Sequence, residues 1–251
     1  MIKIGITEQG DPALDLSWIE QLDKVDGAIV VSKGYNSKFN KALLEHKDKL
    51  IYHCTMTGLG GTAIEPKVPS VINMVGNIGL LIRSGFPARH MVLRMDPILP
   101  EDIFIKYSGY TYKEYLHRVY SDILKYFCIR RFRYSWLDIY PHVRDRFTGI
   151  ADLPDGRTVS QEDKEKILTI LSTWSGISIE ACGEPDVPGQ QQIGCVSYKD
   201  MQLLGYTVGD VVQQDHPQRD VCLCCKNKTE LLHNKQRCYH GCLYCYWHDA
   251  K

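Results

Sequence analysis

Six short apolar runs alternate with stretches of helical periodicity along this 251-residue chain, and that alternation constrains its fold more than any other feature. The runs are 2–7, 28–32, 50–55, 91–94, 134–139 and 177–181, rich in Ile, Val and Tyr. None strictly alternates polar with apolar residues, which is the pattern of strands buried on both faces, as in a parallel sheet. Between them the helical period predicts helices over 17–24, 38–46, 70–83, 111–127 and 161–174. The last has a start signal in Ser160 with Asp163 three residues on, and Gly176 ends it. Strands and helices in alternation predict an α/β fold, a parallel (βα)6-type partial TIM barrel over residues 1–211. Residues 183–194 are rich in Pro, Gly and Gln and read as a loop. Residues 212–251 lack a periodic apolar pattern and read as a cysteine-rich tail on the barrel top, held by a metal cluster.

Lys+Arg and Asp+Glu are equal at 30 each, so no global basic field announces nucleic acid. No apolar run approaches the ~18 residues of a membrane span. The opening Met-Ile-Lys-Ile-Gly-Ile-Thr reads as a strand rather than a signal peptide. A cytoplasmic, reducing location is therefore expected, where clustered cysteines are metal ligands or catalysts rather than disulfides.

In a parallel barrel the polar residues at the C-terminal strand ends face the active side. Here these are Thr7, Glu8, Ser32, Lys33, Thr55, Thr57, Arg94, Asp96, Asp138, Glu180 and Cys182. The chemistry concentrates further on, since six of the ten cysteines follow position 221. Cys238, Cys242 and Cys245 have the spacing C-x-x-x-C-x-x-C, with Tyr244 before the last. That spacing suits a 4Fe–4S cluster with three protein thiolates and one iron open to a small molecule. Cys182, Cys195, Cys222 and Cys224 form a second set that would saturate an auxiliary 4Fe–4S cluster. Cys225 is left over, and core packing accounts for Cys54 and Cys128. Zinc is the alternative for the soft thiolates. Zinc sites use C-x-x-C knuckles, of which Cys242–Cys245 is one, while Cys222 and Cys224 are too close for a knuckle. His240 and His248 would have to complete such a site, giving a non-catalytic binding module. An Fe–S electron-transfer or sensor protein is the other alternative.

The C-x-x-x-C-x-x-C run resembles the signature of the radical S-adenosylmethionine (SAM) superfamily, and Tyr239-His-Gly-Cys-Leu-Tyr-Cys-Tyr246 is similar to an element of spore photoproduct lyase. A motif at the C-terminus rather than after the first strand resembles a widespread bacterial family still classed as a domain of unknown function. The likeness runs through Asp11-Pro12-Ala13, Asn36-Ser-Lys38, Thr55-Met-Thr57-Gly58, Glu65-Pro66-Lys-Val-Pro69, Arg94-Met-Asp96-Pro97-Ile98, Asp138-Ile-Tyr140, Glu180-Ala-Cys182, Gly194-Cys195 and Cys222-Leu-Cys224. It departs at Thr7-Glu8-Gln9, where that family has two arginines, and at Glu230-Leu-Leu-His-Asn before the cluster.

The resemblance implies a circularly arranged radical SAM barrel. Its cluster, reduced by a donor such as flavodoxin or ferredoxin, would cleave SAM to a 5′-deoxyadenosyl radical that abstracts hydrogen from the substrate. Tyr244, Thr55, Thr57, Gly58 and Arg94 are the expected SAM contacts, and Asp96, Asp138, Glu180, Arg130 and Arg131 the expected substrate or catalytic groups. Arg130, Arg131, Arg133, His142, Arg144 and Arg146 lie among aromatic residues, the mixture that phosphate contact and base stacking require. Together with the likeness to spore photoproduct lyase, this suggests a pyrimidine nucleobase or nucleotide, in DNA or free, as substrate.

Overall fold

The computed structural model describes residues 2–151, 153, 156–184, 190–211, 222–233 and 238–247. His248 lies outside them. The strands in chain order are β1 (Ile4–Ile6), β2 (Gly27–Ser32), β3 (Leu50–Thr55), β4 (Met91–Ile98), β5 (Arg131–Trp136), β6 (Asp138–Ile139), β7 (Gly156–Arg157), β8 (Ser178–Cys182), β9 (Gln191–Ile193) and β10 (Lys228–Glu230). Eight of them form one sheet in the order β10-β1-β2-β3-β4-β5-β8-β9, parallel throughout and curled into a half-barrel, while β6 and β7 make a separate antiparallel pair.

The sheet has eight strands rather than six because β9 and β10 each add three residues at an edge, too few to carry a sequence pattern. β10 falls inside the stretch read as a tail, and it pairs with β1. The fifth strand begins at Arg131, three residues earlier than its apolar pattern suggests, because its inward-facing arginines are buried by ion pairing.

The helices are α1 (Ser37–Glu45), α2 (Val71–Arg83), α3 (Glu101–Ser108), α4 (Tyr112–Arg118), α5 (Pro141–Arg144), α6 (Gln161–Ser172) and α7 (Tyr198–Leu203). The 16–24 segment is a 3₁₀ helix, capped by the Asp15 carboxylate, rather than an α-helix. α4 continues as a π-helical stretch to Lys125. Ser160 caps α6 by accepting from the Asp163 N–H at 3.0 Å. Among the described residues no helix is long and apolar enough to cross a membrane.

The two faces of the sheet are packed differently. One carries Ala28, Val30, Tyr52, Cys54, Leu93, Phe132 and Tyr134 and is covered by α1, α2, α4 and α6 through Phe39, Leu43, Met74, Ile78, Leu116 and Ile167. The other carries Ile4, Ile6, Ile29, Ile51 and Val92 toward the N-terminal strand ends, sealed by Val196, Met201 and Val211. Cys225 packs in this second cluster, and Cys54 in the first. Cys128 is exposed at a left-handed backbone position (φ 57°), so core packing does not account for it.

Above the Ile/Val layer lies a buried ion cluster. Arg131 Nε and Nη2 donate to Glu180 at 2.7 and 3.1 Å, and its Nη1 donates to Asp200 of α7 at 2.6 Å. Arg133 donates to Glu180 (2.8 Å) and Asp200 (3.3 Å) and to the carbonyls of Gly194 and Cys195. Two guanidiniums thus meet two carboxylates, the condition under which charge tolerates burial. Burial would raise Asp200, but Arg133 and Arg131 hold it well below the usual carboxylate range. This cluster forms the floor beneath the C-terminal strand ends.

Candidate functional site

A cavity of about 240 Å³ opens above that floor. Its wall is built from the strand ends Thr7, Glu8, Ser32, Lys33, Thr55, Arg94, Asp96, Asp138 and Cys182, with Cys195 and Cys222 on one side and Cys238, Cys242, Tyr244 and Cys245 on another. Members of both cysteine sets therefore reach one space.

The C-terminal cysteine segment is fixed by loops that follow the strands. Leu243 N–H donates to the Ile64 carbonyl at 3.0 Å, and Lys67 N–H to the His240 carbonyl at 3.2 Å. Arg146 Nη1 donates to the Cys245 carbonyl at 2.9 Å, and His142 Nε2 lies 3.1 Å from the Tyr246 carbonyl. Inside the triad, His240 places Nδ1 3.2 Å from the Lys67 carbonyl and Nε2 2.7 Å from Asp11 Oδ2. Both neighbours are acceptors, an arrangement that favours the imidazolium form, which donates from both nitrogens. Burial opposes that charge, but the Asp11 carboxylate beside it raises the His240 pKa. Asp11 also accepts from Ser32 Oγ and from the Lys33 and Ala13 N–H groups. Both His240 nitrogens are thus engaged by acceptors.

Glu65 organises the other side of the triad. Its carboxylate accepts from Tyr244 Oη, from Thr57 Oγ1 at 2.7 Å and from Lys33 Nζ at 3.0 Å. Lys33 Nζ also lies 5.2 Å from the Tyr244 ring centroid, within cation–π range. Burial works against the ammonium, yet Glu65 and the nearby Cys242 raise its pKa. Cys238 and Cys242 are not activated nucleophiles. Burial pushes Cys238 up to about 11 and Cys242 well above the ordinary thiol value. A metal is the partner that deprotonates such thiols.

The second set converges as well. Cys182 and Cys195 Sγ atoms are 3.4 Å apart, those of Cys222 and Cys224 are 3.1 Å apart, and Cys195 also hydrogen-bonds Cys224. Arg94 stands between this set and the strand ends. It pairs with Asp96, which in turn accepts from Ser135 Oγ. The buried Arg94 Nε has no acceptor among the described residues. All ten cysteines are free thiols.

Tested against a 4Fe–4S group, the donor set fits: three buried or half-buried thiols share one cavity wall, and two cations, Lys33 and His240, flank them to offset the anionic charge of thiolates. No group of three or more His, Cys, Asp and Glu among the described residues has the arrangement of a single-ion site.

Several residues expected at the site lie elsewhere. Arg130 is exposed and does not line the cavity. Arg131 and Glu180 are locked in the buried ion cluster beneath it. Thr57 points at Glu65 instead of the cavity. Gly58 packs behind it, where an added Cβ would meet Phe104 at 2.9 Å and Tyr115 at 3.0 Å. The cations of the 130–146 segment do not make one strip: Arg131 and Arg133 are buried and Arg146 holds the cysteine loop. Sequence reasoning did not single out Asp11, Glu65, Ser135 or the aromatic rim of Trp136, Tyr140 and Tyr246 as site residues. The signal for the first two was a lone carboxylate beside proline in Asp11-Pro12 and Glu65-Pro66, a charge with no helical face to solvate it.

No curated protein matches the chain significantly. The family described as Domain of unknown function (DUF1848) matches over residues 15–247, the stretch that holds every strand of the sheet except β1 and both cysteine sets, and the chain belongs to that family.

Proposed function

We propose that the protein is a radical SAM enzyme. The observation that carries this reading is the meeting of Cys238, Cys242 and Cys245 on one wall of a cavity whose other wall is the C-terminal ends of a parallel sheet. These three thiolates would hold a 4Fe–4S cluster. When bound, such a cluster supplies the electron that cleaves the sulfonium C–S bond of SAM and so opens hydrogen abstraction from an unactivated carbon. The chain's own groups hold and screen. Asp11 and the Lys67 carbonyl fix the His240 ring and with it the cysteine loop. Lys33 and His240 balance thiolate charge. Arg94 offers a buried N–H suited to a carboxylate, of SAM or of the substrate. Trp136, Tyr140 and Tyr246 form a rim, with the Tyr140 and Tyr246 centroids 5.5 Å apart, that shields the cavity from water and suits a planar ring. That rim favours a nucleobase or nucleotide as substrate, and the division of the arginines favours a small molecule over a duplex. A flavodoxin- or ferredoxin-like protein would deliver the electron.

Against the zinc-module reading, its nearer histidine, His240, has both nitrogens engaged, by Asp11 and by the Lys67 carbonyl. Anaerobic reconstitution with iron and sulfide should give a brown protein that, with dithionite and SAM, yields 5′-deoxyadenosine, and Cys242→Ala should abolish the 5′-deoxyadenosine. An intact cluster that binds no SAM in calorimetry would favour an electron-transfer or sensor protein instead.

A further inference from the structure

Among the described residues the sheet is open: β9 is one edge, β10 is the other, and no strand ladder joins them. The chain beside those two edges nevertheless meets. Cys225 N–H donates to the Val196 carbonyl at 2.9 Å, and Gly194 lies so close to Cys224 that an added Cβ would sit 2.5 Å from its backbone nitrogen. Cys182, Cys195, Cys222 and Cys224 gather at this seam from three separate segments, with sulfur separations of 3.4 and 3.1 Å in the two pairs. Two buried guanidiniums face them. Arg133 grips the carbonyls of Gly194 and Cys195, and Arg94 lines the cavity with Cys182, Cys195 and Cys222.

We infer that these four thiols hold a second, fully ligated 4Fe–4S cluster that fastens the open seam of the half-barrel, joining the β8–β9 edge to the β10 edge. Four thiolates leave no iron vacant, so this site does not take SAM. Its work is to close the cavity wall and to set a redox centre beside the reaction space. Four soft thiolates suit iron–sulfur, and Cys225, which would complete a C-x-x-C zinc knuckle with Cys222, is packed instead in the apolar cluster of Ile29, Ile51 and Val92. Arg94 and Arg133 would offset the negative charge that four thiolates bring into a buried site. The inference concerns a thiol set separate from Cys238, Cys242 and Cys245, and it stands or falls independently of SAM chemistry.

The test uses the full chain, reconstituted anaerobically with iron and sulfide. The triple variant Cys238→Ala/Cys242→Ala/Cys245→Ala leaves the seam untouched, so it should keep a cluster, with half the iron and sulfide of the wild type. In the double variant Cys195→Ser/Cys224→Ser the iron should also fall by half, and hydrogen exchange should speed up at the amides of Cys225 and of β10 but not at those of β3. The triple variant should leave seam exchange unchanged. A triple variant that retains no iron, or that retains zinc with no sulfide, would overturn the inference. So would a double variant with a full iron content. A wild type that yields no 5′-deoxyadenosine while the triple variant keeps its cluster would sink the SAM reading and leave the seam cluster standing.

Discussion

Arg94, Arg131 and Arg133 project from one face of neighbouring strands, yet only Arg94 reaches the cavity. The other two are spent on Glu180 and Asp200, and this division changes what each residue does. Glu180 is a structural anchor, so Glu180→Ala should leave two buried guanidiniums short of an acceptor and destabilise the fold by about 3–5 kcal/mol, read as a fall in the denaturant midpoint. An unchanged midpoint would show that the cluster is not where the floor gets its strength. His53 gives a pH signature of the same floor. Its ring is fully buried, with Asp200 3.5 Å from Nε2, and Arg133 and Arg94 nearby. Burial, reinforced by Arg133, pushes its pKa down to about 3. The unfolded chain takes up a proton below pH 6.5 that the folded chain refuses. The stability due to neutral His53 is therefore present above 6.5 and lost as pH falls toward 3, at roughly 1.4 kcal/mol per pH unit. His53→Gln should flatten this limb between pH 6 and 4 in chemical denaturation, and a limb of unchanged slope would assign it to other groups. Residue types at the strand ends were legible in the sequence. Which carboxylate each arginine would meet was not, because that depends on strands packed side by side from distant parts of the chain.

Elements were read best where they are long and capped. α6 begins at Ser160 as its capping signal predicts, and Ser160→Ala should cost about 1 kcal/mol of stability by thermal unfolding. The 111–127 helix has its expected span but changes to π-helical winding at Val119, a shift of register that apolar spacing does not report. Three-residue strands offer no periodicity at all, so β9 and β10 were invisible although they define both edges of the sheet. Their edges depend on Gly194, which permits backbone contact with Cys224. Gly194→Ala should spread the seam and lower thermal stability by about 1–3 kcal/mol, the usual range for overpacking. Retention of the wild-type melting temperature would show that the two edges yield freely.

At the scale of the molecule, the cysteine loop is a lid of the half-barrel, held by segments that follow β1, β3 and β6. Deleting residues 238–251 should uncover Asp11, Lys33 and Glu65, all buried or half-buried charges, and the truncated chain should melt earlier and exchange amide hydrogens faster across 58–69. Equal protection in the two chains would mean the lid contributes no order to the wall beneath it. The alternation of apolar runs and helical periods, by itself, determined a parallel α/β sheet with its polar strand ends on one side, since both signals are local and survive in one dimension. The spacing of Cys238, Cys242 and Cys245 likewise marked three thiols that line one cavity. Only the tertiary structure decided that Asp11, Lys33, Glu65 and His240 form one charge-balanced support, and that both thiol sets look into the same cavity. Those residues meet through the curl of the sheet, a consequence of strand order and packing that no neighbour-to-neighbour pattern along the chain encodes.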